Sequence, residues 1–161
     1  MSEAVRLTNS EMLTAAIIGV RRQVQNLAAG RADAHGASPE DGWTPHVEGS
    51  AGEMAVAKAF GMYWTGNMGE LGADDVGQLQ VRTRSRHSYD LILHRRDPDD
   101  RVFILVTGRM PEYLIQGWIM ARDGKRDEFW ADPAKGRPAY FVPKSALRNV
   151  DELRALLAVA A

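Results

Sequence analysis

The chain of 161 residues is long enough to bury a core of its own, and its 45% hydrophobic and 25% charged residues put it among ordinary soluble domains. It has no cysteine, which excludes disulfides and thiolate metal sites and fits a reducing cytoplasm, and no apolar run of about eighteen residues, which excludes a membrane-spanning helix. The net charge of -1 gives no global pull on nucleic acid, yet between Arg82 and Arg96 five arginines stand against one aspartate, a local field able to steer a phosphate backbone.

Taken in chain order, the N-terminus lacks the basic-then-apolar layout of a signal peptide. Thr8 followed by Glu11 fits a capping box, and Met12, Leu13, Ala16, Ile17, Val20, Val24 and Leu27 then recur at helical spacing, so residues 9–29 are expected as a long amphipathic helix that packs through this stripe. Arg21 and Arg22 fall on its wetter side. Gly30 ends it, and Gly36, Pro39, Gly42 and Pro45 make residues 30–47 a loop anchored by Trp43 and His46. A second helix is expected from about Glu48 to Phe60, with Gly49 and Gly52 thinning one side for close approach to a sheet and Gly61 closing it. Within it Glu53 is a carboxylate among small and apolar neighbours. It is either a functional acid or a group favoured by the helix dipole, and Glu48 is a weaker version of the same idea.

Tyr63, Trp64, Asn67 and Met68 lead to the segment Gly72–Arg86. From Leu79 onward apolar and polar residues alternate, Leu79, Val81 and Thr83 against Gln80, Arg82 and Arg84, which is the period of a strand with one buried face. Gly77-Gln78 just before it suits a type II′ hairpin turn, in which Val76 faces Leu79 and Asp75 faces Gln80. Asp75, Gln80 and Arg82 are then expected to project together from a two-stranded ribbon. An acid, an amide carbonyl and a fixed cation in that arrangement can hold a hard metal ion beside a phosphate.

Strands are expected at Leu91–Leu93, Val102–Val106 and Tyr113–Ile119, with Gly108 bounding the second and Gln116-Gly117 marking a bulge or a close backbone approach in the third. Arg95–Asp100 is a turn, and 121–137 is polar with Trp130 packing back. Ala139–Val142 is a last short strand, and Val150–Val159 a closing helix buried through Leu153, Leu156 and Leu157. Helices, then a run of short strands, then a helix argue for one α+β domain over 1–161, drawn as a mixed αβα sandwich with a central mixed sheet flanked by helices. There is no phosphate-binding or dinucleotide loop and no nucleophile elbow, and His35, His46, His87 and His94 lack zinc spacing.

A helical Glu, then an Asp, then a strand carrying (Glu or Gln)-x-(Lys or Arg) resembles the PD-(D/E)XK nuclease superfamily across residues 48–119, particularly its small phage-type members. Glu53 matches the helical acid, Asp75 the second position, and Gln80-Val81-Arg82 the usual Glu-x-Lys. The resemblance implies a restriction-endonuclease-like core and a DNA endonuclease that uses Mg2+ or Mn2+ inside a bacterial cell. It also implies a metal site of Asp75, Gln80, the Val81 carbonyl and Glu53, with Arg82 in the place of the lysine; Arg84 and Arg86 belong to the local basic field expected to face DNA, and His87 after them is either within reach of a phosphate or a plain surface residue. Gln80 binds a hard dication less strongly than a carboxylate, and Arg82 can clamp a phosphate but cannot act as a base. A DNA-binding or assembly protein that keeps the fold with a weakened site is the alternative, and a structural domain whose arginines pair with Asp97, Asp99 and Asp100 is a third. Cutting both strands of a duplex calls for two sites, hence a symmetric homodimer.

Overall fold

Two sheets, each with its own hydrophobic cluster, organise the computed structural model, which describes residues 2–30, 42–67 and 74–160. The larger sheet has the order β1-β5-β4-β2, formed by β1 (Glu3–Arg6), β2 (Leu79–Arg84), β4 (Val102–Arg109) and β5 (Glu112–Met120). In it β2 runs parallel to β4, while β4 with β5 and β5 with β1 are antiparallel. The smaller, antiparallel sheet has the order β3-β7-β6, from β3 (Leu91–Leu93), β7 (Ala139–Val142) and β6 (Trp130–Ala131). This is the mixed α+β class. Met68, Gly72, His35, Gly36 and Pro39 lie outside the described residues.

The pleat of β4 explains the two clusters. Ile104 and Val106 point to one face, where they pack with Leu79, Val81, Ile115, Trp118, Ala51, Ala55, Val56, Val150 and Leu153. Phe103 and Leu105 point to the other, toward Leu91, Leu93, Ile119 and Val142. The helices α2 (Trp43–Phe60) and α4 (Val150–Ala160) therefore share one face, with α1 (Asn9–Ala28) on α2. On the opposite face, where a second helical layer was expected, the described residues put the small sheet and the four-residue α3 (Ala121–Gly124). The apolar stretches Leu91–Leu93 and Ala139–Val142 on that face are too short for helices and long enough to pair as strands.

The bulge expected at Gln116-Gly117 is present: Leu105 pairs with Gly117 and Val106 with Ile115, so Gln116 is the extra residue. Gly117 has φ +151, and a Cβ there would lie 2.7 Å from the Arg148 carbonyl oxygen, the close approach that excludes a side chain. β4 runs on through Gly108 to Arg109 rather than stopping at it. The Thr8–Glu11 capping box and the left-handed Gly61 cap, at φ 63, are as expected. The second helix starts at Trp43, not Glu48, because Pro45 sits in its first turn, where no helical N–H bond is lost. His46 thus belongs to that helix, its Nε2 3.0 Å from Asn26 Nδ2 on α1.

The faces of α1 are reversed from expectation. Ala15, Gly19 and Gln23 are its buried residues, while Leu13, Ile17, Val20, Val24 and Leu27 are exposed. A Cβ on Gly19 would lie 2.5 Å from Val47 Cα, so the two helix backbones touch and only small residues fit between them.

Gly52 plays the equivalent part between α2 and β2, since a Cβ there would lie 1.9 Å from Thr83 Oγ1 and 2.9 Å from Thr83 Cβ. The contact seats α2, and Glu53 next to it, on the sheet. Gly52→Ala is expected to destabilise the fold by about 1–3 kcal/mol by overpacking, read by urea unfolding, and Thr83→Ala should restore part of the loss. An unchanged midpoint for Gly52→Ala would mean that α2 does not sit this close.

Candidate active site

Asp75 stands at the entry to β2, the edge strand of the larger sheet. The turn behind it is the expected one, with Gly77 at φ 58 and Val76 and Leu79 exchanging both backbone bonds, 3.1 and 2.9 Å. Among the described residues only that single bridge forms at the turn, and the ladder partner of β2 is the parallel β4. Asp75 folds back along β2, and its Oδ2 accepts the Val81 N–H at 2.7 Å.

Glu53 comes from the middle of α2 and is 6% exposed. The Arg22 guanidinium grips it as a fork, Nη1 to Oε1 at 2.6 Å and Nη2 to Oε2 at 2.9 Å, and Trp64 Nε1 donates to Oε2 at 3.0 Å. Arg22 also donates from Nη1 to Ser50 Oγ at 3.2 Å and from Nε to the Asn67 carbonyl at 3.0 Å. Far from lying on a wet side, Arg22 has a side chain 18% exposed. Burial works against its charge, but the bonds and field of Glu53, with Asp75 adding to that field, outweigh the penalty and raise its pKa.

Glu53 and Asp75 feel one another. Burial first, and then the negative charge of Glu53, push the Asp75 carboxyl from 3.8 up to about 6, against the pull of the Val81 N–H, Arg82 and Arg22. A carboxylate held near neutrality beside a second acid is the kind of group that functional sites accumulate.

The other two members of the expected set turn elsewhere. Alternation along β2 sends Val81 and Thr83 toward α2 and sends Gln80, Arg82 and Arg84 to the opposite face. Gln80 Nε2 donates to Asp74 Oδ1 at 2.9 Å, an oxygen also 3.3 Å from Arg101 Nε. Arg82 reaches both oxygens of Asp97 at 3.1 Å and lies 4.7 Å from the centre of the Phe103 ring, while its Nε is buried with no hydrogen-bond partner. Arg84 and Arg86 stack on Tyr89, at 4.7 and 5.6 Å, and His87 Nδ1 lies 2.9 Å from Thr107 Oγ1. Glu48 is not part of this group; it accepts the Tyr113 hydroxyl at 2.6 Å.

No family model, curated protein or solved structure matches the chain. What the site can do therefore rests on its own chemistry. Among the described residues no three His, Asp or Glu side chains gather as a cation site. A hard dication would be held here chiefly through Asp75, because it would offset both the burial and the repulsion that raise the pKa of that carboxyl; the Val81 carbonyl offers a neutral oxygen, whereas Gln80, expected as a ligand, projects from the other face of β2 onto Asp74. Glu53, with both oxygens engaged, would contribute through water.

Arg22 and Trp64 are the participants that sequence reasoning missed, and Asp97 was expected only as a structural partner of the arginines. For Arg22 there was a signal: Ala15, Gly19 and Arg22 share one helical face opposite the large aliphatic residues, a row of small side chains ending in a charge that a close helix neighbour would bury. Trp64 and Asp97 lie 11 and 15 residues from their partners and carried no periodic signal.

Proposed function

We propose that this chain is a metal-dependent phosphodiesterase of restriction-endonuclease-like build that hydrolyses DNA, with Asp75 as its principal acid. The observation that supports this is the electrostatic coupling of Glu53, on α2, with Asp75, at the entry to β2, which together with burial pushes Asp75 up to about 6. Bound mainly by Asp75, Mg2+ or Mn2+ would supply an activated water and neutralise phosphate charge. Glu53, held by Arg22 and Trp64, fixes the polar wall opposite Asp75. Asp97 holds the Arg82 guanidinium on the other face of β2, but the field of that cation reaches Asp75, so its part is to attract a phosphate toward the site. The solvent-exposed Arg86, with Arg84 beside it on Tyr89, extends that attraction along the backbone of the nucleic acid. The setting that goes with this activity is the bacterial cytoplasm, with the protein phage-encoded.

One observation favours a second reading, DNA binding without cleavage: Glu53 already has a cation, Arg22, in a two-pronged grip. Supercoiled plasmid with Mg2+ or Mn2+ separates the two. Nicking or linearisation is expected from the parent and not from Asp75→Asn, with circular dichroism confirming that the variant folds. Salt-sensitive binding with no cleavage by the parent would select the second reading. Undiminished cleavage by Asp75→Asn would remove the site from the reaction altogether.

A further inference from the structure

We infer that α1 pairs with α1 of a second copy of this chain, in parallel and about a two-fold axis, through the exposed row Leu13, Ile17, Val20, Val24 and Leu27. The inference is independent of the nuclease reading. These five side chains are 63, 56, 42, 50 and 44% exposed, although each is a large aliphatic group on an ordered helix. Their spacing is 4-3-4-3, the step of a two-stranded coiled-coil seam, and the contact of α1 with α2 is made by another face, through Ala15 and Gly19.

The residue types say what the partner is. With Leu13, Val20 and Leu27 at the d positions of the heptad, Ile17 and Val24 fall at the a positions. In parallel coiled coils, β-branched residues at a with leucine at d, here Leu13 and Leu27 on either side of Val20, favour two strands. The flank agrees: in that register Ala16 meets Arg21 of the second copy, so no like charges face one another. The chain's own residues outside the described set, 1, 31–41, 68–73 and 161, hold only Met1, Met68 and Leu71 as large aliphatic side chains, too few to cover the row.

Two heptads would not hold a pair of free peptides together, because each would first have to become helical. Here α2 already holds α1 in shape, through the Gly19 contact with Val47, so that ordering cost is absent from association. From Leu13 to Leu27 the row is about 21 Å long at 1.5 Å per residue. It is smaller than a standard interface of about 800 Å² per partner, so a micromolar dimer is expected and not a permanent one.

Sedimentation equilibrium of the full chain should show a concentration-dependent mass rising from 17.8 kDa toward twice that value. Ile17→Glu with Val24→Glu should remain at the single mass with an unchanged circular dichroism spectrum, since neither side chain is in the core. The absence of native cysteine makes direction testable. Leu13→Cys and Leu27→Cys proteins, oxidised separately, should each cross-link to themselves. A parent that stays monomeric at high micromolar concentration, or a dimer untouched by the two glutamates, would overturn the inference. Cross-linking only when the two cysteine variants are mixed would mean antiparallel pairing and would overturn it as stated.

Discussion

Arg22→Leu is expected to lose about 3–5 kcal/mol of folding stability, the usual result of stripping one partner from a buried ion pair. Three features put it at the costly end. The pair is a two-pronged fork at 2.6 and 2.9 Å, its side chains are 18 and 8% exposed, and Asp75 adds a second negative charge that Arg22 also serves. Leucine would leave Glu53 with the Trp64 N–H as its remaining strong donor and Asp75 as a neighbour of the same sign. In a chain of this size the loss corresponds to a fall in Tm of roughly 6–20 °C. The double variant Arg22→Leu with Glu53→Leu should lose much less than the sum of the single changes, because it is the orphaned charge that costs most. A loss below about 1 kcal/mol for Arg22→Leu would place the pair in the range of solvent-screened surface bridges. The closed polar wall drawn here for the candidate site would then be wrong.

How far the sequence carried depended on whether a feature is local. The Thr8–Glu11 box, the Gly61 cap, the strand Leu91–Leu93, the turn at Gly77 and the bulge at Gln116 are decided by residues within a few places of one another, and each is where its signal lies. β1 was missed because four residues with one buried side chain, Val5, carry no period. The faces of α1 came out reversed for a physical reason. Apolar periodicity reports which stripe avoids water, but the stripe that touches α2 was set by how near two backbones can come, and Ala15 and Gly19 allow the closer contact. The partner of β2 was misassigned in the same way: a turn dictates where the chain reverses, whereas the ladder went to the continuous apolar run of β4. For the candidate site, Glu53 and Asp75 were identified and share a field, yet the residues that complete their surroundings come from α1, from Trp64 and from the 94–97 turn. The third expectation from sequence, arginines paired with the aspartates at 97, 99 and 100, holds for Arg82 and Asp97, which places that arginine in a structural pair as well as near the site.

Asp75→Asn should make the protein more stable at neutral pH while removing the proposed activity. The folded protein holds the Asp75 proton up to about 6, and a free aspartate releases it near 3.8, so between those values the native state binds more protons than the unfolded chain. Stability must therefore fall as pH rises through that window, and the loss is complete above it. A shift of about two units at 1.36 kcal/mol each sets the cost at about 3 kcal/mol. Asparagine carries no charge to desolvate or repel, and its Oδ1 can still accept the Val81 N–H. With a chelator present, urea titrations should find Asp75→Asn about 2–3 kcal/mol more stable than the parent at pH 8 and equal to it at pH 4. A gap of the same size at both pH values would trace the effect to packing, and a parent more stable at pH 8 would mean that the Asp75 charge is welcome where it stands. In the proposed reading, the cost of ionising Asp75 beside a second acid is offset when the site meets positive charge, so Mg2+ should narrow the gap between Asp75→Asn and the parent at pH 8.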